Sequence, residues 1–123
     1  MTIREALDRT DNLVHNIYSR GEKIAWLSGL DLEVKQLILD APAGAARTPF
    51  AGYTELTPDT MVLLVPAPYD DAYLKFLEAQ IHYHNGEYDK YNNAMAMFRT
   101  VYDAFANYHR RTHMPRRAVI RYF

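Results

Sequence analysis

Among the 123 residues, the histidines come closest to a chemical motif. His109 and His113 stand four apart, the spacing that sets two imidazoles on one helix face as a metal pair. No glutamate base lies between them and no third ligand is near in sequence. His82 and His84 are two apart, which on a helix turns them roughly 200° from each other, so they cannot share an ion. They are expected as surface or interface side chains. The acids Asp70-Asp71 and Glu87 with Asp89 fall at expected helix starts, where carboxylates complement the macrodipole. The only serines, Ser19 and Ser28, have nothing to activate them, and the chain has neither a glycine-rich phosphate loop nor a G-x-S-x-G elbow. With no cysteines, thiolate zinc sites, iron–sulfur clusters, cysteine nucleophiles and disulfides are excluded together. The expectation is a protein that is not an enzyme and uses no cofactor or metal.

The composition is that of one small globular domain, 49% apolar and 24% charged. No apolar run approaches the roughly 18 to 20 residues that span a bilayer. Met1 to Thr10 is charged rather than basic and then apolar, so no membrane partner and no export are expected. The 13% aromatic content, with ten tyrosines, suits interfaces as well as cores. The formal net charge of -1 conceals an asymmetry: residues 1–108 carry nine basic and fifteen acidic side chains, whereas residues 109–123 carry five arginines and no acid. Arg110, Arg111, Arg116, Arg117 and Arg121 can be steered to an acidic protein surface or to phosphates, or simply solvate the end of the chain.

The elements that would position these groups read as helices. Thr2-Ile3-Arg4-Glu5 has the spacing of a capping box and predicts a short helix over 3–9. Ser19-Arg20-Gly21-Glu22 repeats the signal, and Ile24, Leu27, Leu30, Val34, Leu37 and Ile38 recur at helical spacing to about Leu39. Gly29 weakens the middle of this helix. Trp26 lies off its main stripe, facing another element or another subunit. Residues 40–66 read as an extended region. Phe50 and Tyr53 are its candidate interface anchors, the alternative being that they tack the loop to its own core. Within it, the apolar run Met61 to Val65 is either a short strand or a buried extended segment, and a strand would need a distant segment of this chain or a second subunit beside it. Tyr69 to Tyr83 resumes helical spacing, with Pro68 in the first turn and Gly86 as the stop.

The last helix is predicted over 87–111, about 37 Å at 1.5 Å per residue. Tyr91, Met95, Phe98, Tyr102 and Phe105 recur at alternating spacings of four and three, the seam of a helix packed against an antiparallel neighbour. Asn92 and Asn93 interrupt this seam and are expected to be buried and hydrogen-bonded, with a binding role as the alternative. The fold class expected is therefore all-α: a small antiparallel helical bundle with a long helical hairpin, an extended loop with a possible short strand, and a basic C-terminal tail. Residues 1–113 form the helical domain. Residues 114–123 form an extended basic tail that could pair as a strand through Val119, Ile120, Tyr122 and Phe123.

The segments Val65-Pro-Ala-Pro-Tyr-Asp70, Glu78-Ala-Gln-Ile81, Asn85-Gly-Glu87, Tyr91-Asn-Asn93, Met97-Phe98 and Tyr108 through Pro115 resemble a family of phage head–tail connector proteins found in prophages of Gram-positive bacteria. Ile3-Arg-Glu-Ala-Leu-Asp8 and Lys23-Ile-Ala-Trp-Leu27 resemble the same family's start. The likeness lies in the order and spacing of these segments over most of the chain, not in one mechanistic motif. It implies a structural virion protein that docks as a ring on the portal, extends the DNA channel and offers the tail its attachment surface. The partners implied are the portal, a tail-side completion protein and further copies of the chain in a dodecameric ring, with DNA passing through without sequence-specific binding. The place implied is the virion neck, and the host cytoplasm during assembly. On that reading the portal or subunit interface draws on Trp26, Phe50, Tyr53, Arg110, Arg111, Arg116, Arg117, Arg121, Tyr122 and Phe123. The competing class is a small nucleic-acid-binding phage regulator using the basic C-terminal segment, although the chain lacks a recognisable recognition-helix unit and its body is acidic.

Overall fold

The computed structural model describes residues 1–41 and 48–113. Helix α1 spans Ile3–Leu13, α2 spans Arg20–Val34 and continues into a π-helical turn over Lys35–Leu39, α3 spans Asp71–His84, and α4 spans Tyr88–Thr112. The protein is all-α, and the described residues contain no strand.

Both expected N-caps form. The Glu5 N–H donates to Thr2 Oγ1 and the Glu22 N–H to Ser19 Oγ, each at 3.2 Å, satisfying donors that a helix start leaves orphaned. Helix α1 runs four residues beyond the expected Arg9. Its buried stripe Ile3, Ala6, Leu7, Thr10 uses a threonine at the next core position, where an apolar pattern breaks off. On α2, Ile24, Leu27, Leu30, Val34 and Ile38 are buried as expected, but Leu37 is exposed.

Helix α3 begins at Asp71, two residues after the expected start. Pro68 lies in the preceding turn, after a cis peptide bond, and not in the helix. The α3–α4 turn is a Schellman motif: the Gly86 N–H donates to the Tyr83 carbonyl at 3.1 Å and the Glu87 N–H to the His82 carbonyl at 2.9 Å. Gly86 sits at φ +78°, a conformation that L side chains resist. The turn folds α4 back along α3. Ring pairs Tyr83–Tyr91, Phe76–Phe98 and Tyr69–Phe105, at 5.2, 5.3 and 5.7 Å, run down the hairpin in antiparallel register. Helix α2 is also antiparallel to α3, because Trp26 meets His84 at one end and Asp31 meets Tyr73 towards the other. Helix α3 is thus central, with Tyr73, Leu77, Ala79 and Ile81 withdrawn from water. Leu77 and Ile81 each contribute about 1.5–3 kcal/mol.

The Met61 to Val65 run is an extended segment and not a strand. A single antiparallel bridge joins Val62 to Thr2, with the Ile3 N–H donating to the Met61 carbonyl at 3.0 Å and the Leu63 N–H to the Met1 carbonyl at 2.9 Å. Its partner is therefore a distant segment of the same chain. Leu63 and Val65 point into the core while Met61 and Val62 stay exposed.

Candidate functional site

Three places gather polar or aromatic side chains, and the first is closed. Asp31 is fully buried on α2, where it takes the stripe position between Leu27 and Val34. Its Oδ2 accepts from the Tyr53 hydroxyl and, at 3.1 Å, from the Leu64 N–H; its Oδ1 accepts from the Tyr73 hydroxyl at 2.7 Å. The Tyr73 oxygen in turn accepts from the Val65 N–H at 2.7 Å. One carboxylate therefore ties α2, α3 and the loop together. Burial pushes its carboxyl above the usual range, against the pull of these three donors. Burial and the neighbouring carboxylate push both phenols up, so they remain donors at any physiological pH. Both oxygens of the acid are occupied from within the protein, which makes it a tether.

Tyr53 takes the second of its two expected placings, turned into the core by this tether and not left as an interface anchor. Phe50 is half-buried with its ring 5.3 Å from that of Tyr53. The loop is tacked to its own core because Gly52, at φ +84°, lets it pass close over α2: the Tyr53 N–H donates to Ser28 Oγ at 2.9 Å, and a Cβ at Gly52 would lie 2.2 Å from that oxygen.

The second place is the end of the bundle at the α3–α4 turn. Trp26 stacks on His84 at 5.1 Å with 25° between the planes, and Tyr18 lies edge-on to both at 5.5 and 5.9 Å. Tyr83 continues the row, 5.4 Å from His84, 5.9 Å from Tyr88 and 5.2 Å from Tyr91. The Tyr18 hydroxyl donates to Asn85 Oδ1 at 2.6 Å, pinning the chain before α2 to the turn. Six rings thus form an unbroken surface across three helices, with Tyr88 60% and Tyr83 49% exposed. Trp26 faces another element, as one of its two expected placings had it. Beneath this surface His82 is buried within the chain, not the surface or interface side chain expected. Its Nδ1 lies 3.2 Å from Glu87 Oε1 and its Nε2 lies 3.7 Å from Glu78 Oε1. Hydrogen bonds from His82, Lys90 and Asn85 hold the Glu87 carboxyl down at about 2. Glu22, one turn before Trp26, and Asp89, beside Tyr88, are exposed and form no ion pair among the described residues.

The third place is the opposite end, where Arg110 and Arg111 stand exposed on the last turn of α4. Among the described residues Arg110 reaches Asn107 Oδ1, at 3.4 Å. His109 and His113 stack at 3.8 Å, and burial with the adjacent His113 charge lowers His109 below the usual imidazole range. Among the described residues no three His, Asp or Glu side chains gather as a metal site. At about 1.5 Å per residue, Tyr88 and Arg111 are separated by roughly 35 Å along α4. The expected interface residues therefore divide between two ends and one core. Arg116, Arg117, Arg121, Tyr122 and Phe123 lie outside the described residues, as does the strand pairing expected of that tail.

Asn92 and Asn93 are exposed, correcting the expectation of buried amides. They fall beside the seam, which runs through Tyr91, Ala94, Met95 and Phe98. The residues that sequence reasoning passed over are Asp31, Tyr18, Tyr83 and Tyr88. Asp31 had a readable signal, since Ile24, Leu27, Asp31, Val34 and Ile38 keep core spacing with one carboxylate among them. The chain matches no protein-family model, no curated protein and no solved structure.

Proposed function

We propose that this protein is a structural adaptor, a head–tail connector that assembles as a ring on the portal, extends the DNA channel and carries the tail-side completion protein in the virion neck. The observation that carries this reading is the placing of two exposed surfaces of unlike chemistry, one aromatic and one arginine-bearing, at opposite ends of a rigid helical hairpin. Such an element can hold one partner at each end. The order and spacing of the segments quoted from Val65 to Pro115 support the same reading. The closed tether at Asp31 supports a binding role over catalysis, because the one deeply buried carboxylate among the described residues holds the fold together.

The dodecameric ring and the portal partner follow from the resemblance. The acidic body suits a channel past which DNA slides without adhering. The experiment is the native mass of the purified protein over a concentration series, alone and with a phage portal protein. A ring, free or portal-bound, is expected. A protein that ignores the portal and binds short duplex DNA with a steep salt dependence would replace the connector with a nucleic-acid-binding regulator.

A further inference from the structure

We infer that the aromatic end of one copy receives the arginine-rich end of a second copy, so that Tyr18, Trp26, Tyr83, His84 and Tyr88 form a docking surface for the guanidinium groups of Arg110, Arg111 and the arginines at 116, 117 and 121. This deepens the adaptor reading and rests on it for the presence of neighbouring copies. The receiving surface has the chemistry that guanidinium selects. Its rings lie at spacings of 5.1 to 5.9 Å, with Tyr83, His84 and Tyr88 exposed and Tyr18 and Trp26 half-buried. Glu22, one turn before Trp26, and Asp89, next to Tyr88, add exposed carboxylates at this end, and Glu87 in the α3–α4 turn stays ionised. Arginine is favoured over lysine there because its planar group stacks while its charge is balanced.

Reach makes the contact of Arg110, Arg111, Arg116 and Arg117 one between copies. Thr112 lies about 36 Å from Tyr88 along α4. Five residues of chain cover at most about 18 Å, so Arg116 and Arg117 fall far short of the aromatic end of their own molecule. Arg110 and Arg111 are fixed on the helix itself. The interface is heterologous, with different surfaces on its two sides, and such contacts close into rings when the rotation per subunit allows.

The test uses a labelled peptide of residues 109–123, titrated into the full chain at a protein concentration where it is monomeric, with anisotropy as the affinity readout. Trp26 is the only tryptophan and lies in the surface, so its emission reports where the peptide sits. Saturable binding with a change in Trp26 emission is expected. Binding should weaken severalfold when all five arginines are replaced by lysine, which keeps the charge but loses the planar stacking of the guanidinium. It should weaken comparably in the Tyr83→Ser/Tyr88→Ser variant, whose substitutions fall on exposed positions. No binding, equal affinity of the lysine peptide, or full affinity of the double variant would each overturn the inference. A chain that still forms rings on the portal after such a result keeps its adaptor role and assembles through another face. A chain that binds the peptide but never the portal keeps this contact and loses the connector reading.

Discussion

Replacing Asp31 is the most informative perturbation of the fold. In Asp31→Leu the two phenols and the Leu64 N–H lose their common acceptor inside the core. Each buried donor left without a partner costs about 1–3 kcal/mol. Removal of the buried charge offsets part of this, because desolvation already disfavours the carboxylate. The net loss is expected to be about 3–5 kcal/mol, a large share of the roughly 5–15 kcal/mol that holds a domain together. Asp31→Asn keeps one acceptor oxygen and turns an amide N–H toward one phenol, so about 1–3 kcal/mol is expected. Tyr53→Phe and Tyr73→Phe should couple in a double-mutant cycle through the shared carboxylate. Tyr73→Phe should be the costlier single change, since it also strands the Val65 N–H. Urea denaturation followed by far-UV circular dichroism gives these differences. An Asp31→Leu protein as stable as the parent would show that the tether contributes nothing and that apolar packing alone holds the loop. The pH dependence has a defined sign. The Asp31 pKa is raised in the folded state, so its contribution falls as pH rises from the unfolded value through the folded one, and Asp31→Asn removes that slope.

Two glycines should respond in opposite directions. Gly52→Ala forces a side chain into a positive-φ position and into Ser28 Oγ, and is expected to cost at least about 2 kcal/mol in thermal denaturation. Gly29→Ala, exposed in the middle of α2 with nothing near its Cβ, should stabilise by about 0.5–1 kcal/mol in the same assay. Glu87 has a folded pKa of about 2 against 4.5 unfolded, so its stabilising effect is present above pH 4.5 and lost as pH falls towards 2. Acid titration of Glu87→Gln should therefore show a shallower loss over that window than the parent, and an unchanged slope would mean that the His82 and Lys90 contacts do not form in solution.

What the residues revealed in advance was local. The caps at Thr2 and Ser19, the stop at Gly86 and the alternating seam of α4 each depend on neighbours within a turn or two, and each was found where its chemistry put it. The helix ends at Arg9 and Tyr69 moved because tertiary contacts override the pattern. Thr10 serves as a core residue, and Tyr69 leaves its helix to lie 5.7 and 5.5 Å from Phe105 and Tyr108. The path of the loop depended on a polar residue in an apolar stripe. Asp31 breaks the period for a reader who counts only apolar side chains, although its partners lie 22 to 42 positions away. The aromatic surface stayed hidden for the same reason, as Tyr18, Trp26 and His84 meet only once α2 has packed against α3.

The bridge between Thr2 and Val62 has a consequence for the order in which the molecule is built. The α3–α4 hairpin closes across one tight turn and needs no earlier part of the chain, so its loop-closure entropy is small and it can form early. The start of α1 has to wait for residues some sixty positions later before its N–H groups at Ile3 and Arg4 find the Met61 and Asp59 carbonyls. Loop-closure entropy therefore predicts that the strap from Tyr53 to Val65 closes after the hairpin. Amide hydrogen exchange should divide accordingly, with Leu63, Leu64 and Val65 exchanging through a partial opening while Leu77 and Ile81 exchange only on global unfolding.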